Sequence, residues 1–269
     1  MITLRQLEQA IQSLGLAGQC VCVHSSLRSF GEPLEGGADG LIDVFIKNGC
    51  TLLAPAFCYD HATTPPEGTA ILQNGMDYAQ PVPASEKVFS VDSTHMTVED
   101  LGNFPYTLLK RPGRVRGNHK MNSFVALGPK AELLVGGQTD QQVFAPFEEL
   151  CRQGGFVLLV GTGLQGCTLL HYSEFLAGRR PFVRWANDEQ LRPVPVRIGS
   201  CSLGFDAFEP TVRPLQATAQ VGGSLWRCFS APALAEACAE AIRQSPEVTH
   251  CDNPACLRCN HALLGGPLL

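Results

Sequence analysis

Three apolar stretches constrain the fold of this 269-residue chain more than any other feature: Cys20-Val-Cys-Val23, Thr51-Leu-Leu-Ala54 and Val157-Leu-Leu-Val160. Each is apolar at successive rather than alternate positions, so each reads as a strand buried on both faces. Between the first two lies a helical stretch, Leu41 to Asn48, preceded by Gly36-Gly37 and stopped by Gly49. That order predicts a parallel sheet covered by helices. Ahead of it, Thr3 caps a helix with Gln6 in the capping-box position and Leu4, Leu7, Ile11 and Leu14 as its apolar stripe. Further on, the pattern predicts a strand at 123–128, short helices at 129–134 and 146–153, an edge strand at 194–198 and an amphipathic helix at 234–243. Residues 59–105 are rich in Pro, Gly, Thr, Ser and Asp and show little periodicity. A loop of that length predicts a lid or a substrate wall, with short helices around 97–101 and 105–110. No internal repeat is visible, so the expectation is one α/β domain over residues 1–245 and a Cys/His-rich tail over 246–269.

Composition narrows the function classes. With 45% hydrophobic and 17% charged residues the chain packs a core. A net charge of −5 argues against a nucleic-acid partner, which needs a basic stripe. No apolar run reaches the roughly 18 residues that span a bilayer. The amphipathic, charged start does not resemble a secretory signal. A cytoplasmic protein with no membrane partner is expected, and a homodimer is left open. Of the twelve cysteines, nine sit in apolar contexts and read as buried thiols, with no disulfide framework.

The chemistry-bearing residues gather after the strands. His171 and Glu174 stand three residues apart on a predicted helix, just past the third apolar strand. A histidine held by a carboxylate makes a base that works near neutral pH; the plain alternative is an ordinary surface pair. His24-Ser-Ser-Leu-Arg-Ser-Phe-Gly31 leaves the first strand with three hydroxyls and an arginine, which suits phosphate or pantetheine binding or a simple capped turn. It is neither a P-loop nor a dinucleotide fingerprint. Asp60 and His61 follow the second strand, and Arg114 to Phe124 brings His119 and several cations. In an open parallel sheet these four strand ends share one crevice.

Four segments, Val23 to Gly31, Leu52 to Phe57, Arg116 to Ser123 and Thr168 to Glu174, together resemble the aminoglycoside 3-N-acetyltransferase (antibiotic N-acetyltransferase) family over residues 1 to about 245. The resemblance implies a single three-layer α/β domain unlike the GNAT fold, and acetyl transfer from acetyl-CoA to an amine of an aminoglycoside. It implies that His24, Ser25, Ser26, Leu27, Arg28, Ser29 and Phe30, with Ser123 and Phe124, lie along CoA. It makes His171 the general base supported by Glu174, with Asp60 and His119 lining the same crevice. Serines 25 and 26 are the candidate oxyanion donors, and direct transfer is favoured over an acyl-enzyme on Cys58 or Cys167. Two features depart from the pattern. Lys120 stands where the family usually has proline, and no acidic set for a polycation is evident beyond Asp60, Asp77, Glu86, Glu99 and Asp100, whereas Arg179, Arg180 and Arg184 follow the catalytic helix. Another amino sugar or metabolite amine is therefore the alternative acceptor, and a non-catalytic zinc-bearing adaptor the alternative of another class.

The tail lies outside that resemblance. Cys251, Cys256, Cys259 and either His261 or His250 make a candidate structural zinc set built round one C-x2-C half-site. The alternative is an exposed reduced tail.

Overall fold

The computed structural model of the chain describes residues 1–80 and 82–269, the side chain of Asp100 aside. Its strands are β1 (Cys20–Ser25), β2 (Thr51–Pro55), β3 (Val115–Arg116), β4 (Phe124–Leu127), β5 (Phe156–Val160), β6 (Phe182–Asn187), β7 (Pro193–Ile198), β8 (Ala217–Val221) and β9 (Ser224–Ser230). Seven of them form one sheet in the order β3-β4-β2-β1-β5-β9-β8, while β6 and β7 pair as a separate ribbon. Only the centre is parallel: β1 runs with β2 and with β5, whereas β4 and β9 run against their neighbours. The parallel sheet expected from the apolar strands is its centre, and antiparallel strands extend it on both sides. β8 and β9 join through the tight Gly222-Gly223 turn, and such a turn can connect only antiparallel strands.

The central strands are buried on both faces, as their unbroken apolar runs require. Val21, Val23, Leu52, Ala54, Leu158 and Val160 pack on one side, under the helices Leu4–Ser13, Gly37–Lys47 and Asn103–Leu109. Cys20, Cys22, Leu53, Val157 and Leu159 pack on the other, under Ala145–Arg152, Leu169–Leu176 and Ala231–Gln244. The result is the three-layer α/β architecture. Thr3 caps the first helix reciprocally with Gln6. Among the described residues no helix is long and apolar enough to cross a membrane.

The long 59–105 region lies along the β6–β7 ribbon. Asn74, fully buried, accepts from the Val183 amide at 2.7 Å and donates to the Val183 carbonyl at 2.9 Å. The Thr63 amide donates to the Trp185 carbonyl at 2.8 Å. The tail folds back on the same assembly through the short helix Leu257–Leu263, and the His261 ring accepts from the Gly75 amide.

Candidate active site

The carboxyl ends of β1, β2 and β5 open into one cavity of about 960 Å³. The antiparallel strand β4 contributes its amino-terminal end there, because Phe124 sits opposite Pro55. All four expected segments reach the cavity, through His24 and Ser25, Phe57 and Tyr59, Met121 to Phe124, and Thr162 to His171, with Ser123 turned away. The long loop supplies Met76, Asp77 and Gln80 as a further wall.

His171 lines the same cavity from the helix Leu169–Leu176. Its Nδ1 is 2.9 Å from Glu174 Oε2, and its ring packs on Phe205 with centroids 4.8 Å apart. With Nδ1–H given to the carboxylate, the lone pair of the neutral imidazole falls on Nε2. Glu174 is 4% exposed and its remaining capacity is filled. Ser200 Oγ donates to Oε2, and Arg179 Nη1 donates to Oε1 at 2.7 Å. Burial pushes the Glu174 carboxyl upward, but the hydrogen bonds and charges of His171, Ser200 and Arg179 outweigh it and hold the group below the usual carboxylate range. Arg179 is anchored in turn by Thr249 Oγ1 at 2.6 Å and by the Pro246 carbonyl. Gly199 lies flat against the imidazole; a Cβ there would fall 2.7 Å from His171 Cγ.

Several residues expected at the site do not reach it. His119 is fully buried: its Nε2 donates to the Arg197 carbonyl at 2.8 Å, and its Nδ1 accepts from the Met121 and Asn122 amides. Burial lowers its pKa to about 4, so it is a neutral brace for the turn. The adjacent Lys120 turns to an ion pair with Asp140, and its amide also donates to that carboxylate, a bond proline could not make. Asp60 does not line the cavity; it is engaged by Lys87 and by His95 Nε2 at 2.7 Å. Ser123 is spent on Arg116 and the Ala56 carbonyl. Phe30 belongs to the core, edge-on to Trp226, and Ser29 is bonded to Ser26 and Ser224. Leu27 packs against the core and Arg28 is exposed. Of the 24–30 segment only His24 and Ser25 face the cavity, and Phe124 does so from β4. His24 is held neutral by burial, with its pKa lowered to about 4.

Two further side chains at the site, Asn122 and Arg258, carried no individual signal in the sequence. Ser25 and Asn122 line the cavity, and Ser25 Oγ and Asn122 Oδ1 are buried with no hydrogen-bond partner. Arg184 and Arg258 line it as well, and Asp77 is the carboxylate on its wall among the described residues. Burial first, and then the charge of Arg258, lowers Arg184 to about 10, which leaves it charged at neutral pH. Cys58 and Cys167 are both fully buried, and burial raises both thiols, Cys167 to about 12, so neither is a ready nucleophile.

In the tail, the cysteine trio is joined by Cys201, and the four sulfurs lie within 4.8 Å of one another. The histidine expected as fourth member is corrected. His261 Nδ1 is occupied by the Gly75 amide, and both nitrogens of His250 are hydrogen-bonded, to the Cys251 carbonyl and to Asn260 Oδ1.

A mixed sheet between two helical layers, with a cavity at its strand ends, is an architecture that acyltransferases use, and the comparisons place the chain among them. Residues 22–243 match the family model for aminoglycoside 3-N-acetyltransferases, and the chain belongs to that family. It is 30% identical over 203 residues to aminoglycoside N(3)-acetyltransferase III of Salmonella, covering 74% of this chain and 68% of that one. It is 31% identical over 212 residues to aminoglycoside N(3)-acetyltransferase VIII of Streptomyces fradiae, with the same coverage. The chain thus spans about two thirds of the length of these relatives. Among solved structures, the apoenzyme of aminoglycoside acetyltransferase AAC(3)-IVa superposes with a TM-score of 0.78 at 24% identity over 98% of both chains. The YokD protein of Bacillus subtilis does so with 0.77 at 20% identity over 91% of this chain and 95% of its own. These likenesses show the shared, non-GNAT fold.

Proposed function

We propose that the protein transfers the acetyl group of acetyl-CoA directly to an amine, with His171 as general base. The observation that carries this is the His171–Glu174 pair, whose histidine lines a cavity large enough for a thioester and an acceptor. An ammonium nitrogen has no lone pair, so it attacks only as it loses a proton. His171 Nε2 takes that proton while nitrogen bonds to the thioester carbon. Collapse of the tetrahedral intermediate breaks the carbon–sulfur bond, the nitrogen gives up its second proton, and CoA leaves with that proton as the thiol. Glu174 fixes the imidazole tautomer and stabilises the imidazolium, and Arg179 with Ser200 keeps that carboxylate charged and aimed. Ser25, on the cavity wall with its Oγ unpartnered, is the candidate donor to the developing oxyanion. Cys58 and Cys167, sealed and protonated, leave direct transfer as the simpler course.

The family points to an aminoglycoside amine as acceptor, at the 3-N position. A CoASH complex of AAC-IIIb and a gentamicin complex of AAC(3)-IVa, both of this fold, support the pairing of ligands. One observation favours a second reading of the acceptor. The cavity carries Arg184 and Arg258 against Asp77, a balance that suits an amine which also bears an anionic group. Thiol release from acetyl-CoA, assayed with aminoglycosides and with phosphorylated or carboxylated amino sugars, separates the two. His171→Ala is expected to lower turnover by roughly 100-fold or more with the fold intact by circular dichroism. An unchanged rate excludes His171 as the base.

A further inference from the structure

Cys201 and the tail cysteines are far apart in sequence, yet Cys201, Cys251, Cys256 and Cys259 form a cluster of their own, separate from both large cores. All four are free thiols, and all but Cys256 are buried. Cys251 and Cys259 place their sulfurs 3.6 Å apart. An ion bonded to four sulfurs at about 2.3 Å in a tetrahedron sets them about 3.8 Å from one another. The C-x2-C pair straddles the start of the helix Leu257–Leu263, with Cys256 as its cap residue. The Cys251 amide points at Cys259 Sγ at 3.5 Å, as backbone amides do toward metal-bound thiolates.

The loop on the other side of the cluster is the one behind the catalytic pair. Cys201 directly follows Ser200, which donates to Glu174, and Gly199, which backs the His171 ring. Gly204 abuts the backbone of Thr249 and His250, and Arg179 ties Glu174 to Thr249. The tail therefore grips the surroundings of Glu174 at two points, and the cluster is one of them.

We propose that the four cysteines hold one zinc ion, and that the ion clamps the tail to the Gly199–Cys201 segment behind the catalytic pair. Four soft sulfur ligands and a closed tetrahedron define a structural site with no open position. Each thiol releases its proton to solvent as its sulfur bonds the ion, so binding weakens as pH falls. This inference goes beyond the acetyl-transfer reading, and its test uses no turnover measurement, so either one can fail alone.

The test is elemental analysis of the whole protein, purified under reducing conditions with no metal added, followed by hydrogen exchange. About one zinc per chain is expected, with most of it lost in Cys256→Ser and in Cys201→Ser. Chelated protein titrated with Co2+ is expected to show the intense thiolate-to-metal absorption of a tetrahedral sulfur site. On chelation, amides of residues 199–204 and 246–263 should exchange faster while those of β1 and β5 do not change, and added Zn2+ should restore protection. Purified protein without zinc, with iron in its place, or with disulfides among the four cysteines overturns the site. Zinc loss that leaves exchange at residues 199–204 unaltered overturns the clamp.

Discussion

At the scale of single residues, what separates His171 from His119 is how the ring nitrogens are spent. His119 uses both in the backbone around it, whereas His171 gives Nδ1 to Glu174 and lines the cavity. In sequence the two are hard to tell apart, and only the i,i+3 carboxylate set His171 apart. The supports Arg179, Ser200 and Thr249 left no readable spacing, because they meet Glu174 from separate parts of the chain. His24 makes a test of its own at this scale. Its folded pKa of about 4 lies below the ordinary 6.5 because burial disfavours the charged ring. The unfolded chain therefore takes up a proton that the folded one refuses. Stability from this group is complete above pH 6.5 and falls as pH drops toward 4, by an amount on the order of 3 kcal/mol. Denaturant unfolding across pH 4 to 7 should show a shallower fall for His24→Gln than for the parent. Equal slopes would mean that this ring charges in the folded state.

At the scale of elements, legibility followed burial. The strands β1, β2 and β5 stood out because both of their faces are covered, which leaves unbroken apolar runs. The helices Leu4–Ser13 and Ala231–Gln244 stood out by their stripes. β6, β8 and β9 were not anticipated; β8 is an exposed edge strand, and Arg184, Arg227 and the hydroxyl residues interrupt any apolar run. The short element after β7 matters out of proportion to its length. Gly199 passes the His171 ring where a methyl would overlap it, so the segment can approach only without a side chain. Gly199→Ala is expected to displace the imidazole or the segment and to cut kcat by about 10-fold or more, a cost of roughly 1.4 kcal/mol in the barrier. Parental kcat in this variant would show that the ring tolerates the shift and that its present position is not the productive one.

At the scale of the whole molecule, the cavity is assembled from strand ends, the long loop and the tail, and its charge belongs to no one of them. The convergence of strand ends was foreseeable from the parallel centre of the sheet, but the arrival of Arg258 was not, since nothing in a Cys/His-rich tail says where it docks. Arg258 and Arg184 raise the potential felt by a polycation and lower that felt by an anion. Removing one positive charge from a partly desolvated wall changes the binding of an oppositely or similarly charged ligand by about 1 to 2 kcal/mol, or roughly 10-fold. Arg258→Ala is therefore expected to lower KM for an aminoglycoside by several-fold to about 10-fold and to raise KM for an anionic amine by a like factor, with both effects shrinking in high salt. KM for acetyl-CoA, measured in the same variant, separates the two ligands that a cation on this wall can serve. If it rises while both acceptors are unaffected, Arg258 holds the cofactor's phosphates and the acceptor half of the cavity is governed by Asp77 and the long loop.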